Sequence, residues 1–179
     1  MVEYFKFDEK LAGLFIRLGV LGQGDLDFGK LRDVPQSARE IGSLIGRMRA
    51  GIPFDVWCDT IPTVSNAVFI LTLFNENSRL LSAYAANGST ASILGTPITD
   101  QKALIVHDIL SAENSPLAQI RLLEKSGLKV EHLIFLVDSE DGYGEVLGEM
   151  GYKIRAGFRL SELREYYARD AAQLREKEG

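Results

Sequence analysis

A short segment in the middle of the chain combines residues that could bind a sugar phosphate. It begins with the apolar run Ala103 to Val106, which predicts a buried strand. Seven candidate positions follow the run: His107, Asp108, Ser111, Ala112, Glu113, Asn114 and Ser115. Ser115 and Pro116 then predict the start of a helix. Parallel-sheet proteins bind phosphate at such a strand, turn and helix, because free amide groups at the helix N terminus favour anions.

The candidate residues also have structural interpretations. His107 and Asp108 could bind a ribose diol, or Asp108 could bind a Mg²⁺-bound hydroxyl, but both could equally be polar residues that reach solvent at the end of a strand. Ser111 and Ser115 could contact an anion, although a turn hydroxyl and a helix-cap hydroxyl are the favoured interpretation. The sequence therefore leaves a ligand role and a structural role open for each residue.

The centre of the turn is unfavourable for phosphate. Glu113 places a carboxylate where small residues with free backbone amides are needed. A carboxylate about 4 Å from a phosphate charge repels it by ~1 kcal/mol in water and by about 4 kcal/mol at the effective dielectric of a protein surface. Glu113 could thus lower phosphate affinity by a factor of roughly ten to several hundred, and less if its side chain points to solvent.

The elements around this segment alternate between strands and helices. Strands are predicted at 54–59, 79–85, 102–106, 132–138 and 153–158, and loop or short edge structure at 21–33. Helices are predicted at 7–18, from Ser37 to Gly51, at 65–75 (where a strand is the alternative), from Ser115 to Gly127, at 144–151 and from Ser161 onward. Alternation of this kind indicates an α/β fold with right-handed crossovers, a mostly parallel sheet and helices on both faces.

Composition narrows the class of protein. The chain has 179 residues and a formal net charge of −5, so we expect one domain over 1–179 and no general binding to nucleic acid. Cys58 is the single cysteine, which excludes an intramolecular disulfide. Charged residues interrupt the first 20 positions, so we expect neither a signal peptide nor a membrane segment, and a cytoplasmic location.

Other polar residues give weaker signals. Asp138, Glu140 and Asp141 follow a predicted strand, but no His or Cys is spaced beside them as in a metal site, so a solvated loop is the favoured interpretation and no metal site is predicted. His132 is interpreted as structural and Cys58 as a small buried residue. No arrangement for nucleophilic catalysis can be argued from two histidines that lack a motif.

The chain resembles the orotate phosphoribosyltransferases of the type I phosphoribosyltransferase family. The resemblance spans most of the chain, and is most specific from Lys102 to Tyr167, where "KALIVHDILSAENSP", "LLEKSGLKVEHLIFLVDSEDG" and "MGYKIRAGFRLSELREYY" follow the order of the family's elements. It implies a small N-terminal hood region, a homodimer and a role in pyrimidine nucleotide metabolism. It also implies that acids at 107 and 108 bind the ribose hydroxyls of phosphoribosyl pyrophosphate, that the turn binds its 5′-phosphate, and that Mg²⁺ takes part.

The sequence departs from the family's pattern at four parts of the site. His107 replaces the first acid, and Ala112, Glu113 and Asn114 replace a hydroxyl and two glycines. The segment 80–101, which matches the family's cationic mobile loop, has no Lys, Arg or His. The segment 58–67 lacks the glycines of the pyrophosphate loop, Ser139 stands at the position of the orotate-contacting Arg, and the family's N-terminal Lys-Ser-Gly-Arg segment has no clear counterpart near 22–28.

Two hypotheses follow. One is an active phosphoribosyltransferase that uses Mg²⁺ and phosphoribosyl pyrophosphate. The other is a non-catalytic relative that keeps the fold to bind a phosphate-bearing or nucleobase small molecule, or to regulate a partner. The second is favoured, because the four parts of the site have changed together.

Overall fold

The computed structural model describes residues 1–21, 26–31, 35–60, 79–84 and 91–178. Its strands are β1 Val2–Tyr4, β2 Val56–Asp59, β3 Arg79–Tyr84, β4 Ser92–Leu94, β5 Lys102–Leu110, β6 Lys129–Asp138 and β7 Lys153–Arg159. Its helices are α1 Glu9–Arg17, α2 Pro35–Met48, α3 Leu117–Lys125, α4 Tyr143–Glu149 and α5 Leu160–Glu178, with a 3₁₀ turn at Phe28–Leu31.

The strands form one seven-stranded sheet in the order β1-β7-β6-β5-β2-β3-β4. All neighbouring strands in it are parallel except β3 and β4, which are antiparallel. β5 lies in the middle of the sheet, which explains why its apolar run shows no alternation with polar residues. The predicted mostly parallel α/β sheet is therefore confirmed.

Alternate residues of β5 face two separate apolar layers. Leu104 and Val106 pack with residues of α1, α2 and α5, whereas Ala103 and Ile105 pack with residues of α3 and α4. Because successive side chains of a strand point to opposite faces, the helices cover both sides of the sheet. Among the described residues, no helix is both long enough and apolar enough to cross a membrane.

Several predicted boundaries need correction. β5 does not end at Val106 but continues to Leu110, so His107 and Asp108 belong to the strand and not to a turn. α2 begins at Pro35, two residues before the predicted cap at Ser37, and α3 begins at Leu117 with Pro116 as its cap residue. The helix predicted at 65–75 lies outside the described residues.

Two strands were not predicted. β1 pairs with β7 at one end of the sheet, so the N-terminal region contributes a strand as well as α1. β4 pairs with β3 at the other end. Each has three residues, which is too short for the alternation of apolar and polar residues that identifies a strand.

Gly157 on β7 lets α2 approach the sheet closely. A Cβ atom there would lie 2.8 Å from the Leu44 Cδ2 atom and 3.0 Å from the Leu136 carbonyl oxygen, which belongs to the backbone of β6. We expect Gly157→Ala to lower the free energy of unfolding by about 1–3 kcal/mol, as overpacking of a core does.

Urea denaturation would measure this loss, with Gly13→Ala as the matched control. Gly13 lies inside α1, and its added Cβ would meet the flexible Arg17 side chain at 3.3 Å. Since alanine is favoured over glycine in a helix by roughly 0.5–1 kcal/mol, the control should be neutral or stabilising. Equal losses in both variants would contradict the close approach of α2.

Candidate functional site

The carboxyl ends of the central strands gather several buried polar side chains at one edge of the sheet. Asp59 ends β2 and is in register with Val106, and Asp138 ends β6 and is in register with Leu110. Asp59, His107, Asp108, Ser111 and Asp138 are all buried. Parallel sheets bind ligands beyond this edge, so the predicted segment lies where a site is expected.

His107 is enclosed by the sheet. Its side chain is 1% exposed, and its ring centroid lies 5.7 Å from that of Phe135 on β6. Burial lowers the pKa of His107 from 6.5 to about 4, so its imidazole is neutral at physiological pH. The Nδ1 atom is buried and has no hydrogen-bond partner among the described residues. The alternative in which His107 reaches solvent at a strand end is therefore wrong.

Asp108 is likewise buried, at 5% exposure, and the solvent-exposed alternative is wrong for it too. Together with His107 it lines a cleft of about 200 Å³ between the end of β5 and the segment that includes the 3₁₀ turn. The cleft is lined by Leu26, Asp27, Phe28, Gly29, His107, Asp108, Ile109 and Asn114. Three of the seven predicted positions, His107, Asp108 and Asn114, thus share one cleft.

The turn after β5 uses its backbone amides for contacts within the protein. The Ala112 N–H donates to the Asp141 Oδ2 atom at 2.8 Å, and the Asn114 N–H donates to the Ser111 Oγ atom at 3.2 Å. The Leu117 N–H donates to the Ser115 Oγ atom at 3.2 Å. Ser111 thus makes the turn hydrogen bond predicted for it, whereas Ser115, predicted as the cap, lies one residue before the cap position that Pro116 takes. Oxygens of the chain occupy the Ala112 and Asn114 amides of the turn.

Glu113, at the centre of the turn, is exposed to solvent. Solvent screening reduces the repulsion between its carboxylate and a bound anion toward the ~1 kcal/mol expected in water. The carboxylate that contacts the turn directly is that of Asp141.

Sequence reasoning missed the contact of Asp141 with the turn. Besides Ala112, Asp141 accepts a hydrogen bond from the Tyr143 N–H at 2.9 Å through its Oδ1 atom, at the start of α4. An Asp three residues before the helix predicted at 144–151 is a recognisable turn or cap signal, so its role near the start of α4 could have been predicted. Its partner Ala112 is 29 residues away and has no such local signal.

The acidic loop after β6 was predicted to be solvated, and this is wrong for Asp138, which is buried. Asp138 accepts hydrogen bonds from the Tyr4 hydroxyl at 2.5 Å and from the Glu140 N–H at 2.8 Å. Glu140 is exposed and accepts a hydrogen bond from the Ser161 N–H at 2.8 Å. Within the described ranges, no group of three or more His, Cys, Asp or Glu residues is placed to hold a metal ion.

Ser139, directly after β6, makes a backbone contact. Its N–H and its hydroxyl both donate to the Leu110 carbonyl oxygen, at 3.0 and 2.8 Å. The side chain thus ties the end of β6 to the end of β5.

β2 ends in a second buried acid that the sequence analysis did not single out. Asp59 is 1% exposed, and burial raises its pKa from 3.8 to about 6, although a hydrogen bond from Ser82 opposes the shift. Thr60, the next residue, is also buried. Cys58 precedes them, and burial raises the pKa of its thiol, which agrees with the predicted small buried residue. The acid at the end of the apolar "VWCD" strand is the signal that could have identified Asp59.

The chain is similar in sequence to orotate phosphoribosyltransferases. That of Corynebacterium glutamicum is 32% identical over 171 residues, which cover 86% of this chain and 92% of that protein. That of Sulfolobus acidocaldarius is 27% identical over 139 residues, which cover 77% of this chain and 71% of that protein. No protein-family model matches the chain.

The fold is similar to solved structures of orotate phosphoribosyltransferases and of a UMP synthase. Orotate phosphoribosyltransferase from Aeropyrum pernix gives a TM-score of 0.73 at 20% identity, over 87% of this chain and 96% of that one. The Mycobacterium tuberculosis H37Rv enzyme in complex with 5-phospho-alpha-D-ribosyl 1-diphosphate gives 0.68 at 22% identity, over 87% and 97%. Leishmania donovani UMP synthase gives 0.78 at 19% identity, and the match covers 92% of this chain but 39% of that one.

Proposed function

Because the chain belongs to the orotate phosphoribosyltransferase family, we propose that it is a non-catalytic member that uses the fold to bind a small molecule or to regulate a partner. The observation that carries this proposal is the hydrogen bond from the Ala112 N–H to the Asp141 carboxylate. In the family this turn binds the 5′-phosphate of phosphoribosyl pyrophosphate. Here a carboxylate of the chain itself accepts from the turn, and it both occupies the amide and repels a phosphate placed beside it.

The residue types at two other parts of the chain support the same proposal. Transfer of a phosphoribosyl group requires cations that stabilise the pyrophosphate leaving group. The segment 80–101 contains no Lys, Arg or His, so a second copy of the chain could not supply these cations from its own loop. Ser139 stands where the family has an Arg that contacts orotate, and its hydroxyl donates to a backbone carbonyl.

The alternative is an active phosphoribosyltransferase, favoured by the family membership and by Asp108, which keeps the position of the second ribose-binding acid. An active enzyme of this kind would use Mg²⁺ together with phosphoribosyl pyrophosphate. The described residues offer no group of three or more potential ligands for this ion.

We also propose that the chain works as a homodimer, as the family does. Sedimentation velocity at micromolar concentration would test this directly. A single species at twice the mass of one chain supports the dimer, whereas a species at the mass of one chain contradicts it.

Calorimetry with phosphoribosyl pyrophosphate and Mg²⁺, followed by a turnover assay with orotate, tests the proposed loss of activity. We expect no saturable binding at micromolar concentrations and no release of pyrophosphate. The Corynebacterium glutamicum relative, assayed under the same conditions, is the positive control. Micromolar binding together with product formation would overturn the proposal in favour of the active enzyme.

A further inference from the structure

A second cleft lies at the opposite edge of the sheet, near the amino ends of β6 and β7. Its volume is about 430 Å³, and the described residues that line it are Met1, Glu3, His132, Gly148, Gly151, Tyr152, Lys153, Ile154 and Arg155. Six residues of β6 lead from His132 to Asp138, which corresponds to about 20 Å along the strand. This cleft is therefore separate from the turn after β5 and from the buried acids at the carboxyl ends of the strands.

Basic side chains form a row in this cleft. His132 of β6 is in register with Lys153 of β7, and Ile134 is in register with Arg155. Because alternate residues of a strand share a face, His132, Lys153 and Arg155 lie on the face of the sheet that packs against α2. Lys102 of β5 also acts on His132 electrostatically and extends the row. In a chain with a formal net charge of −5, positive charge is thus concentrated at this edge.

Two of the basic side chains have no partner among the described residues. Lys153 is exposed and makes neither an ion pair nor a side-chain hydrogen bond there, and the half-buried His132 makes no side-chain hydrogen bond. Arg155 differs, because its Nε atom donates to Glu3 at 2.7 Å and its Nη1 atom donates to two carbonyl oxygens at the end of α2, at 2.5 and 2.9 Å. Arg155 is therefore fixed by the protein, whereas Lys153 and His132 are available to a ligand.

The electrostatics at His132 favour a negative charge in the cleft. Partial burial lowers the pKa of His132 from its usual 6.5, and so do three cations, Lys153, Arg155 and Lys102. Glu131 opposes this shift. An anion bound between the cations would offset their repulsion of a protonated imidazole, and the protonated imidazole would attract the anion. Anion binding and protonation of His132 should therefore strengthen each other.

A structural role is the alternative interpretation of the basic row. The C-terminal ends of α2 and α4 carry partial negative charge, which nearby cations stabilise. This role accounts for Arg155, whose hydrogen bonds reach the end of α2. It does not account for Lys153, which makes no hydrogen bond to a helix end within the described ranges. Glu3 is the one carboxylate of the described cleft wall, and its repulsion of an anion is screened because its side chain is 59% exposed and paired with Arg155.

The size and lining of the cleft suit a phosphate ester better than a free ion. A volume of about 430 Å³ lies within the range of roughly 300–1,000 Å³ that is typical of small-molecule sites. The Lys153 ammonium and a protonated His132 can donate to the phosphate oxygens. Gly148, Gly151 and Tyr152 form an uncharged part of the wall, where the organic part of the ligand can lie.

We propose that this cleft binds the phosphate group of a small phosphate monoester, with Lys153 and His132 in direct contact and Arg155 as a fixed positive charge beside them. The site lies at the edge of the sheet opposite to the turn after β5. The inference therefore goes beyond the proposed non-catalytic function and does not depend on it.

NMR of the His132 imidazole in sulfate tests the site directly. Sulfate stays a dianion over the pH range in which a phosphate ester and His132 titrate. The chain has two histidines, and the other, His107, titrates near pH 4, so the signals of His132 can be followed separately. We expect the pKa of His132 to be higher in sodium sulfate than in sodium chloride of equal ionic strength, and sulfate to bind several-fold more tightly at pH 5.5 than at pH 7.5. An equal pKa in the two salts would overturn the inference and leave the basic row with its structural role.

Lys153→Gln should remove most of the sulfate effect on His132, and Lys129→Gln is the matched control. Lys129 lies on β6 at the same edge of the sheet, but it is paired with Asp100 at 2.8 Å and does not line the cleft. Both lysines are exposed, so both variants should fold. Equal losses of the sulfate effect in the two variants would show that general positive charge, and not the cleft, attracts the anion, which would also overturn the inference.

Glycerol 3-phosphate and inorganic phosphate, compared through the same His132 signals at pH 7.5, distinguish an ester from the free ion. We expect the ester to bind several-fold more tightly than inorganic phosphate, and this preference to be absent in Lys153→Gln. Binding of the ester that is equal to or weaker than that of inorganic phosphate would overturn the assignment to a phosphate ester. Because the signals report on His132, phosphate bound at the distant turn after β5 does not obscure the result.

Discussion

Asp141→Ala is expected to bind inorganic phosphate at least roughly tenfold more tightly than the unsubstituted chain. The substitution frees the Ala112 N–H, which donates to the Asp141 Oδ2 atom at 2.8 Å, and removes a negative charge from the edge of the turn. Asp141 is exposed, so solvent screening keeps the contribution of its charge near ~1 kcal/mol at a separation of about 4 Å. The freed amide contributes roughly another 1 kcal/mol, and the two together correspond to a factor of roughly thirty in affinity.

The same substitution should make the stability of the fold depend on phosphate. Asp141 accepts hydrogen bonds from the Ala112 and Tyr143 amides, so its loss should lower the free energy of unfolding by roughly 1 kcal/mol for each bond. Phosphate that takes its place binds only the folded chain and restores stability by mass action. Thermal unfolding in phosphate, compared with sodium chloride at equal ionic strength, separates this effect from general screening.

Glu140→Ala is the matched control for this prediction. Glu140 is exposed, lies next to Asp141 and also accepts a hydrogen bond from a backbone amide, but that amide belongs to Ser161. The control variant loses the same charge from the same loop and leaves the Ala112 contact in place. Equal responses to phosphate in both variants would show that net charge, and not the occupied amide, weakens phosphate binding.

Combining Asp141→Ala with Glu113→Gly should raise phosphate affinity further, to roughly a hundredfold above the unsubstituted chain. Asp141→Ala also frees the Ala112 amide, so Glu113→Gly alone should have the smaller effect of the two single substitutions. A larger effect of Glu113→Gly alone would indicate that the centre of the turn, and not Asp141, controls the site.

The sequence predicted the scaffold of this site better than its contacts. The apolar run at the start of β5 identified a central strand, because a strand buried on both faces needs apolar side chains at every position. The end of β5 was misplaced, since His107 and Asp108 are polar and polar residues usually mark a turn. The strand continues through them because Phe135, Val137 and Asp138 of β6 pair with its last residues, and no local pattern records that pairing.

The hydrogen bond from the Ala112 N–H to Asp141 could not be predicted from the sequence, for a related reason. Ala112 and Asp141 lie at the ends of different strands, and only the parallel pairing of β5 with β6 brings them together. An alanine gives no sign of how its amide is used. The departures from the family's motif could be identified from the residue types. The carboxylate that accepts the hydrogen bond from the turn could be identified only from the structure.

His107 and Asp59 should make opposite contributions to the pH dependence of stability. Both are 1% exposed at the same edge of the sheet, and burial disfavours the charged form of each. The pKa of His107 is lowered from 6.5 to about 4, and the pKa of Asp59 is raised from 3.8 to about 6. The two groups therefore exchange protons on unfolding over nearly the same pH window.

The signs follow from which state binds more protons. Between pH 4 and 6.5 the unfolded chain holds a proton on His107 that the folded chain lacks, so the contribution of His107 to stability rises with pH and is complete above 6.5. Between pH 3.8 and 6 the folded chain holds a proton on Asp59 that the unfolded chain has lost, so its contribution falls as pH rises. Over their shared window the two contributions nearly cancel.

Single substitutions should reveal each contribution. In His107→Gln the contribution of Asp59 remains, so the free energy of unfolding should fall by roughly 2 kcal/mol from pH 4 to 6 relative to the unsubstituted chain. In Asp59→Asn the contribution of His107 remains, and the free energy should rise by about the same amount. Urea denaturation at half-unit pH steps measures both slopes.

Comparison with the unsubstituted chain removes the contribution of every other titrating group, so the test rests on slopes and not on absolute stabilities. The double variant should regain a slope close to that of the unsubstituted chain, because both proton exchanges are then absent. Slopes of the same sign in the two single variants would mean that one of these groups is not held in its neutral form.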